Sequence, residues 1–193
     1  MRSRSFLLPS LLLAVLSAPL LASPANYKKW HDECLAGGTA EIDRVITRFE
    51  EVLKRDRNDH LARVYLGSAC TLRSKKSRWG PSKMKFLKRG GELMDQAVAA
   101  APKESRVRFV RAVNAYSVPK KFKRRPVAVS DFTILMPVAE RGDGELSLSE
   151  RQAILYYASL TFAEEGHAAR AARCKRACHL LAPGSEYGKR TAP

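Results

Sequence analysis

Apolar residues recur along most of the chain at the three- and four-residue spacing of amphipathic helices, and β-branched residues never alternate with polar ones over a useful length. The most regular stripe has apolar side chains on one side and charged side chains on the other. We therefore expect an all-α protein. The predicted helices cover residues 40–55, 60–72, 83–100, 104–116, 148–164 and 168–181, with a shorter helix over 27–35 and another that opens at Pro126.

Local signals refine this outline at three points. Ser147 and Glu150 form a capping box for the next-to-last helix. Gly67 has no Cβ, which lets a partner helix approach closely. Pro102 lies later than a strict repeat of the helix pairs allows, so we interpret residues 75–82 as an enlarged turn.

The helix pairs stay in phase at about 34 residues. A unit of this kind cannot bury its apolar face alone and must stack on its neighbours. The pattern therefore predicts a stacked architecture. In the last unit the small, aromatic, small, small and proline positions are held by Ser159, Phe162, Ala171, Cys178 and Pro183.

Three stretches resemble the tetratricopeptide-repeat (TPR) family: YLGSAC at 65–70, RGGELMDQAVAAAP at 89–102, and the last unit, which ends LAPGS. The resemblance implies a TPR-like right-handed superhelix of antiparallel helix pairs over residues 26–183. It would contain about three repeats and a leading helix, and its concave groove would bind a protein or peptide. The middle of the chain is also similar to an exported bacterial subgroup of the family that has no established activity. Arg63 and Arg108 depart from the family, because they stand where it usually packs a large aromatic side chain.

The first 25 residues have the three-part layout of a secretory signal peptide: a basic start, an apolar run and a region of small residues. Cleavage after Ala22 or after Ala25 satisfies the small-residue rule. The apolar run is short for a membrane span, which needs about 20 residues. We expect an exported, soluble mature chain, in the periplasm if the source is a Gram-negative bacterium, with a flexible tail over residues 184–193.

Positive charge is concentrated in the middle of the chain. Residues 61–130 carry eighteen Lys and Arg against three Asp and Glu, whereas residues 27–60 carry seven against eight. Such a one-signed field favours an acidic partner, although it also serves solubility alone. Nucleic acid is a partner that an exported protein rarely meets, so we expect a protein or peptide with an acidic surface.

Four residues are candidates for a binding row in the groove, where guanidinium groups would grip carboxylates through paired hydrogen bonds. The alternatives are a solvated face or internal pairing with a residue such as Glu104. The groove candidates are Arg63, Arg108, Arg111 and Asn114.

Two basic loops, each with an aromatic residue, are the second candidate surface. The alternative is an aromatic side chain that folds back over the superhelix while the charges stay solvated. The same loops would suit a peripheral envelope protein that binds anionic lipid or glycolipid, which is the main rival function. The first loop contains Lys75, Lys76, Arg78 and Trp79, with Lys83 and Lys85 beside it, and the second contains Lys120, Lys121, Phe122, Lys123, Arg124 and Arg125.

The four cysteines give weak signals. Cys174, Cys178 and His179 lie close to the spacing of a haem-attachment motif, but the repeat register puts the two cysteines in the core, so we expect neither haem nor zinc. Cys34 and Cys70 are candidates for a disulfide in an oxidising compartment. No catalytic arrangement is evident, and we expect a binding protein without enzymatic activity or cofactor.

Overall fold

The computed structural model describes residues 23–78, 80–142 and 146–193. This part of the chain is all-α, with nine helices, one short 3-10 turn at Lys120–Phe122, and no strand. The prediction of an all-α protein is confirmed. The helices are α1 (Pro24–Ala36), α2 (Thr39–Arg55), α3 (His60–Lys76), α4 (Pro81–Ala100), α5 (Ser105–Ser117), α6 (Arg125–Arg141), α7 (Leu148–Glu164), α8 (Ala168–Leu181) and α9 (Glu186–Arg190).

The helices pack in two interleaved sets. Each helix from α1 to α9 contacts its neighbour in the chain, and short connections make such neighbours antiparallel. In addition α1 packs on α3, α3 on α5, α5 on α7, and α7 on α9. The odd-numbered helices of the described chain therefore form one continuous layer, and the even-numbered helices lie against it.

The predicted capping box of α7 is present, with Ser147 and Glu150 each bonding the other's backbone N–H. Gly67 has the packing role expected of it. A Cβ on Gly67 would lie 2.6 Å from Cγ of Met94 and 2.7 Å from the carbonyl oxygen of Gly90. The pair Gly67 and Gly90 thus sets the close approach of α3 and α4.

The prediction of an enlarged turn over residues 75–82 is wrong, because helix replaces about half of it. The extra residues lengthen α3 and α4, and only residues 77–80 connect them. Ser74 in α3 donates a hydrogen bond to the carbonyl of Lys83 in α4 at 2.9 Å, which ties the two helix ends together. Pro81 opens α4 at a position where its missing N–H costs nothing. The result is a long helical hairpin, which we call the α3–α4 hairpin.

The tail after residue 183, which the sequence predicts to be flexible, contains the short helix α9. Ser185 caps this helix by accepting from the backbone N–H of Gly188 at 2.9 Å. Tyr187 packs against Tyr156 of α7, with ring centroids 5.0 Å apart, and Thr191 is buried. The packing of Tyr187 and the cap by Ser185, neither of which the sequence analysis considered, hold the tail against α7.

Residues 1–22 of the expected signal peptide lie outside the described residues. Residues 23–25 are described and belong to the fold. Ser23 caps α1 by accepting from the N–H of Asn26 at 3.3 Å, and Pro24 begins the helix. Cleavage after Ala25 would remove this cap, whereas cleavage after Ala22 would keep it.

Candidate binding surface

Two arginines of α5 converge on one carboxylate of α6. Asp131 is 0% exposed and accepts a hydrogen bond from Arg108 at 2.8 Å. Arg111 binds the same carboxylate through both Nε and Nη2, each at 2.8 Å. Arg108 also donates to the backbone carbonyl of Pro102 at 2.7 Å. Both guanidinium groups therefore face inward.

The network continues to α4 through Asp95. This carboxylate accepts from Arg111 at 3.2 Å and from both Nη atoms of Arg124 at 2.8 Å. Burial by itself raises the pKa of Asp95, but the hydrogen bonds and charges of Arg124 and Arg111 outweigh it, so the pKa lies below its ordinary value. We call Arg108, Arg111, Arg124, Asp95 and Asp131 the arginine network. It links α4, α5 and α6.

The expected open row in the groove is therefore not what the structure contains. Arg108 and Arg111 have the internal pairing that the sequence left open, with Asp131 and Asp95 as partners in place of Glu104, which is exposed. A buried guanidinium requires a carboxylate and hydrogen bonds to offset its lost hydration. Arg108 and its counter-ion Asp131 therefore fill a buried position between α5 and α6.

The other two groove candidates also have partners within the fold. Arg63 donates to Nδ1 of His60 at 3.1 Å and to the backbone carbonyl of Arg57. Asn114 donates to the hydroxyl of Ser68 at 3.4 Å, and Nε2 of His31 lies 2.8 Å from the same hydroxyl. The contacts of Ser68 link α1, α3 and α5 within the odd-numbered layer and stabilise the stack.

The second basic loop is largely paired within the fold. Lys120 lies 3.6 Å and 3.5 Å from Glu164 and Glu165 of α7. Arg125 pairs with Glu164 at 3.1 Å. Its guanidinium also stacks over Tyr116, with Cζ 4.2 Å from the ring centroid. Two nitrogens of this guanidinium, Nε and Nη1, are buried and have no hydrogen-bond partner among the described residues. A hydrogen bond from Tyr116 lowers the pKa of Glu164. The charges of Arg125 and Lys120 lower this pKa further, and slight burial opposes the shift.

The remaining members of this loop are closer to solvent. Lys121 lies against Phe122, with Nζ 5.3 Å from the ring centroid. Lys123 is exposed and adopts a left-handed conformation with φ of 56°, which ends the 3-10 turn. Arg124, through Asp95, belongs to the arginine network.

The first basic loop is different, because its cations have no counter-ions among the residues that the structure describes. Trp79 lies outside the described residues. The other three predicted loop residues are exposed, and together with two lysines at the start of α4 they form no ion pair with any described residue. Residues 60–91 contain nine Lys and Arg and no Asp or Glu, and only Arg73 and Arg89 reach carboxylates of α2. We call the five cations Lys75, Lys76, Arg78, Lys83 and Lys85 the hairpin cations.

A pocket of about 310 Å³ lies beside the hairpin, between the first half of α4 and the end of α5. Sequence reasoning did not indicate this pocket, because a gap between helices depends on how they pack. Met84, which lines it, is 42% exposed. The apolar lining consists of Met84, Leu87, Gly91, Met94, Val118 and Phe122.

A second pocket of about 580 Å³ lies between α1 and α2. Its wall combines Tyr27 and Trp30 with acidic and basic side chains, and Tyr27 donates a hydrogen bond to Asp59 at 2.5 Å. Charges of both signs line it, and Trp30 is buried against Arg48 and Phe49. This balance gives the pocket no preference for either sign of ligand.

The four cysteines are buried free thiols. Burial raises the pKa of Cys34 to about 12 and that of Cys70 to about 11, so both are protonated at neutral pH and poor nucleophiles. Cys34 and Cys70 lie in the same core cluster, and a disulfide between them stays a prediction. Cys174 and Cys178 are in the C-terminal core, as expected, and the described residues hold no group of three or more potential metal ligands.

The chain matches no protein-family model, no curated protein and no solved structure. Within the described residues, no helix has the length and hydropathy to cross a bilayer.

Proposed function

We propose that this protein is an exported, non-enzymatic binding module with a TPR-like superhelical stack, and that it recognises an acidic protein or peptide through the α3–α4 hairpin. The observation that carries the proposal is that the hairpin cations form no ion pair within the described part of the chain. The repeat resemblance and the continuous layer of odd-numbered helices support the stacked architecture.

The distribution of ion pairs favours the hairpin over the groove as the recognition surface. A guanidinium that already binds a buried carboxylate has fewer free donors and little net field to offer a partner. Five cations that pair with no described acid, in contrast, produce a positive field that steers an acidic surface and speeds its association. The proposed partner therefore meets the hairpin first.

The test uses a fluorescein-labelled acidic peptide with a single Phe between two runs of Glu, which we call the probe peptide. Binding of the full mature chain is measured by fluorescence anisotropy at low salt. Reversal of the five hairpin cations to Glu should weaken binding at least about tenfold. The control variant reverses five exposed cations at positions dispersed outside the hairpin, with the same change in net charge. These control positions are Lys54, Lys103, Lys175, Arg176 and Lys189.

The control should retain most of the affinity, since its charges are dispersed. Equal loss in both variants would mean that binding follows overall charge, and no loss in the hairpin variant would remove the hairpin from the proposal. Repetition at roughly 0.5 M salt, where screening acts over only a few ångströms, should weaken binding to the unaltered chain. Cross-linking in envelope extract would then identify a protein that the control variant retains and the hairpin variant loses.

A second candidate function is binding to anionic lipid or glycolipid. It is favoured by Met84, an exposed apolar side chain among the hairpin cations. Sedimentation with vesicles of anionic or of zwitterionic phospholipid tests it. The variants should be made in Lys121, Lys123 and the hairpin cations, because changes to Arg124 or Arg125 would break contacts inside the fold.

A further inference from the structure

We infer that the pocket between α4 and the end of α5 receives one bulky apolar side chain of the acidic segment that the hairpin cations attract. The inference rests on the proposed function and deepens it, because it names the anchor that gives the segment its position. The pocket lies directly beside the hairpin and has an apolar lining. Charge brings the segment to this face, and the pocket would hold it there.

The pocket exists because α4 is much longer than its neighbour. α4 has 20 residues and α5 has 13. The difference is about 10 Å of helix at about 1.5 Å per residue. The first turns of α4 therefore extend beyond α5, and Val118 and Phe122 line the other side of the gap.

The lining is suited to a variable apolar guest. Met84 and Met94 contribute flexible, polarizable side chains, which adapt to different shapes. Leu87 and Phe122 add rigid apolar surface on opposite sides. The volume of about 310 Å³ is at the low end of the range of ligand pockets. One large side chain suits such a space better than a long acyl chain.

The charges around the pocket favour an acidic flank on the guest. Asp95, which lines the pocket, is already bound by Arg111 and Arg124. On the α4 side, Lys88 lies 3.8 Å from Glu92 in an exposed, weak pair. Lys85 lies one turn earlier and pairs with no described acid. Lys123 is exposed on the far side. The surplus charge at the rim is positive, so carboxylates on either side of the apolar anchor would be complementary to it.

Gly91 provides a clean way to close the pocket. It lines the pocket, and a Cβ placed on it meets nothing within 4 Å. Gly91→Trp should therefore fill the pocket from the helix side without displacing the packing of α3. Gly91→Ala is the matched control, since it adds a helix-favouring side chain and leaves the pocket open.

The experiment compares the probe peptide with a version in which Ser replaces its Phe. The unaltered chain and Gly91→Ala should bind the Phe peptide about tenfold more tightly than the Ser peptide, because the Ser peptide loses the burial of a large apolar side chain. Gly91→Trp should abolish that difference and retain the weaker, salt-sensitive binding of both peptides. Circular dichroism and thermal unfolding of both variants verify that the fold is intact.

Each other result has a definite meaning. Equal affinity of the unaltered chain for both peptides, with loss on reversal of the hairpin cations, overturns the anchor pocket and leaves the proposed function standing. Binding that does not respond to the hairpin reversal overturns the proposed function itself. Binding to anionic vesicles that Gly91→Trp blocks, without discrimination between the peptides, would assign the pocket to an acyl chain and overturn the peptide anchor.

Discussion

The α3–α4 hairpin and the region between α5 and α6 have nearly the same basic composition and use it in opposite ways. In the α5–α6 region, Lys120, Arg124 and Arg125 all reach carboxylates of other helices. In the hairpin, the five hairpin cations reach none among the described residues. The comparison teaches that a run of basic residues does not predict available charge, because availability depends on acids that lie far away in sequence.

The two regions are also held in place by different forces. Close backbone packing at Gly67 and Gly90 holds the hairpin, whereas the arginine network holds the α5–α6 region. Four predictions test this contrast, from the largest expected effect to the smallest.

Asp131→Asn should produce the largest loss of stability. It removes the buried counter-ion of Arg108 and Arg111, and breaking a buried pair from one side costs about 3–5 kcal/mol in the free energy of unfolding. Urea unfolding followed by circular dichroism measures it. Asp43→Asn removes the partner of Arg73 at an exposed site and should cost at most about 1 kcal/mol. Similar losses in both variants would contradict the contrast between buried and exposed pairs.

Adjacent glycines of α4 should respond with opposite signs. A Cβ on Gly90 would lie 2.5 Å from Oγ1 of Thr71 and 2.6 Å from the carbonyl of Gly67, so Gly90→Ala should destabilise the fold by about 1–3 kcal/mol. Gly91→Ala meets open space and should stabilise it by up to about 1 kcal/mol through helix propensity. Thermal unfolding of the two single variants measures this. A loss in both would mean that the hairpin does not depend on one close contact.

Arg124 and Lys76 should separate stability from binding. Arg124→Gln breaks the paired hydrogen bonds to Asp95 and should lower the free energy of unfolding by about 1–2 kcal/mol. It should change little the affinity for the Ser version of the probe peptide, which does not use the pocket that Arg124 lines. Lys76→Gln should leave stability unchanged and weaken that binding slightly. Anisotropy and urea unfolding on the same two preparations decide the point. The reverse pattern would place recognition on the α5–α6 region.

Acid should weaken the arginine network through Asp95. Burial raises the pKa of Asp95 in the folded state, but Arg124 and Arg111 outweigh burial and lower it. The contribution of Asp95 to stability is therefore fully present above the unfolded pKa of about 3.9, and it is lost as the pH falls through the folded pKa. The free energy of unfolding, measured from about pH 5 downward, should therefore fall less steeply for Asp95→Asn than for the unaltered chain. Because Asp95 is partly exposed, we expect a small difference, and parallel curves would exclude Asp95 from the acid response.

Much of the fold was predictable because periodicity is a local property. The bounds of α7 and α8 agree with the sequence prediction, and Ser147 with Glu150 caps α7 as expected. The lengths of α3 and α4 were not predictable, since the bond from Ser74 to Lys83 forms only once the hairpin has closed. Tail helix α9 depends likewise on the contact between Tyr187 and Tyr156, which no local pattern announces.

Composition predicted the basic loop at residues 75–78, but it did not predict which of the other basic residues are paired within the fold. Lys75, Lys76 and Arg78 are exposed as the charge run suggested, while Arg108 and Arg111 are bound within the fold. Sequence reasoning considered internal pairing for these arginines but proposed the wrong acid, since Asp131 lies 20 or more positions away along the chain.

By itself the sequence determined the helical class, most helix bounds, the concentration of positive charge in the middle of the chain and the close approach at Gly67. All of these depend on residues a few positions apart or on composition. The tertiary structure alone decided which cations are neutralised and where an apolar gap stays open. Ion pairing acts between atoms a few ångströms apart. Only the folded chain brings Asp95 and Asp131 to the arginines of α5, while the hairpin cations meet no such partner in the described residues.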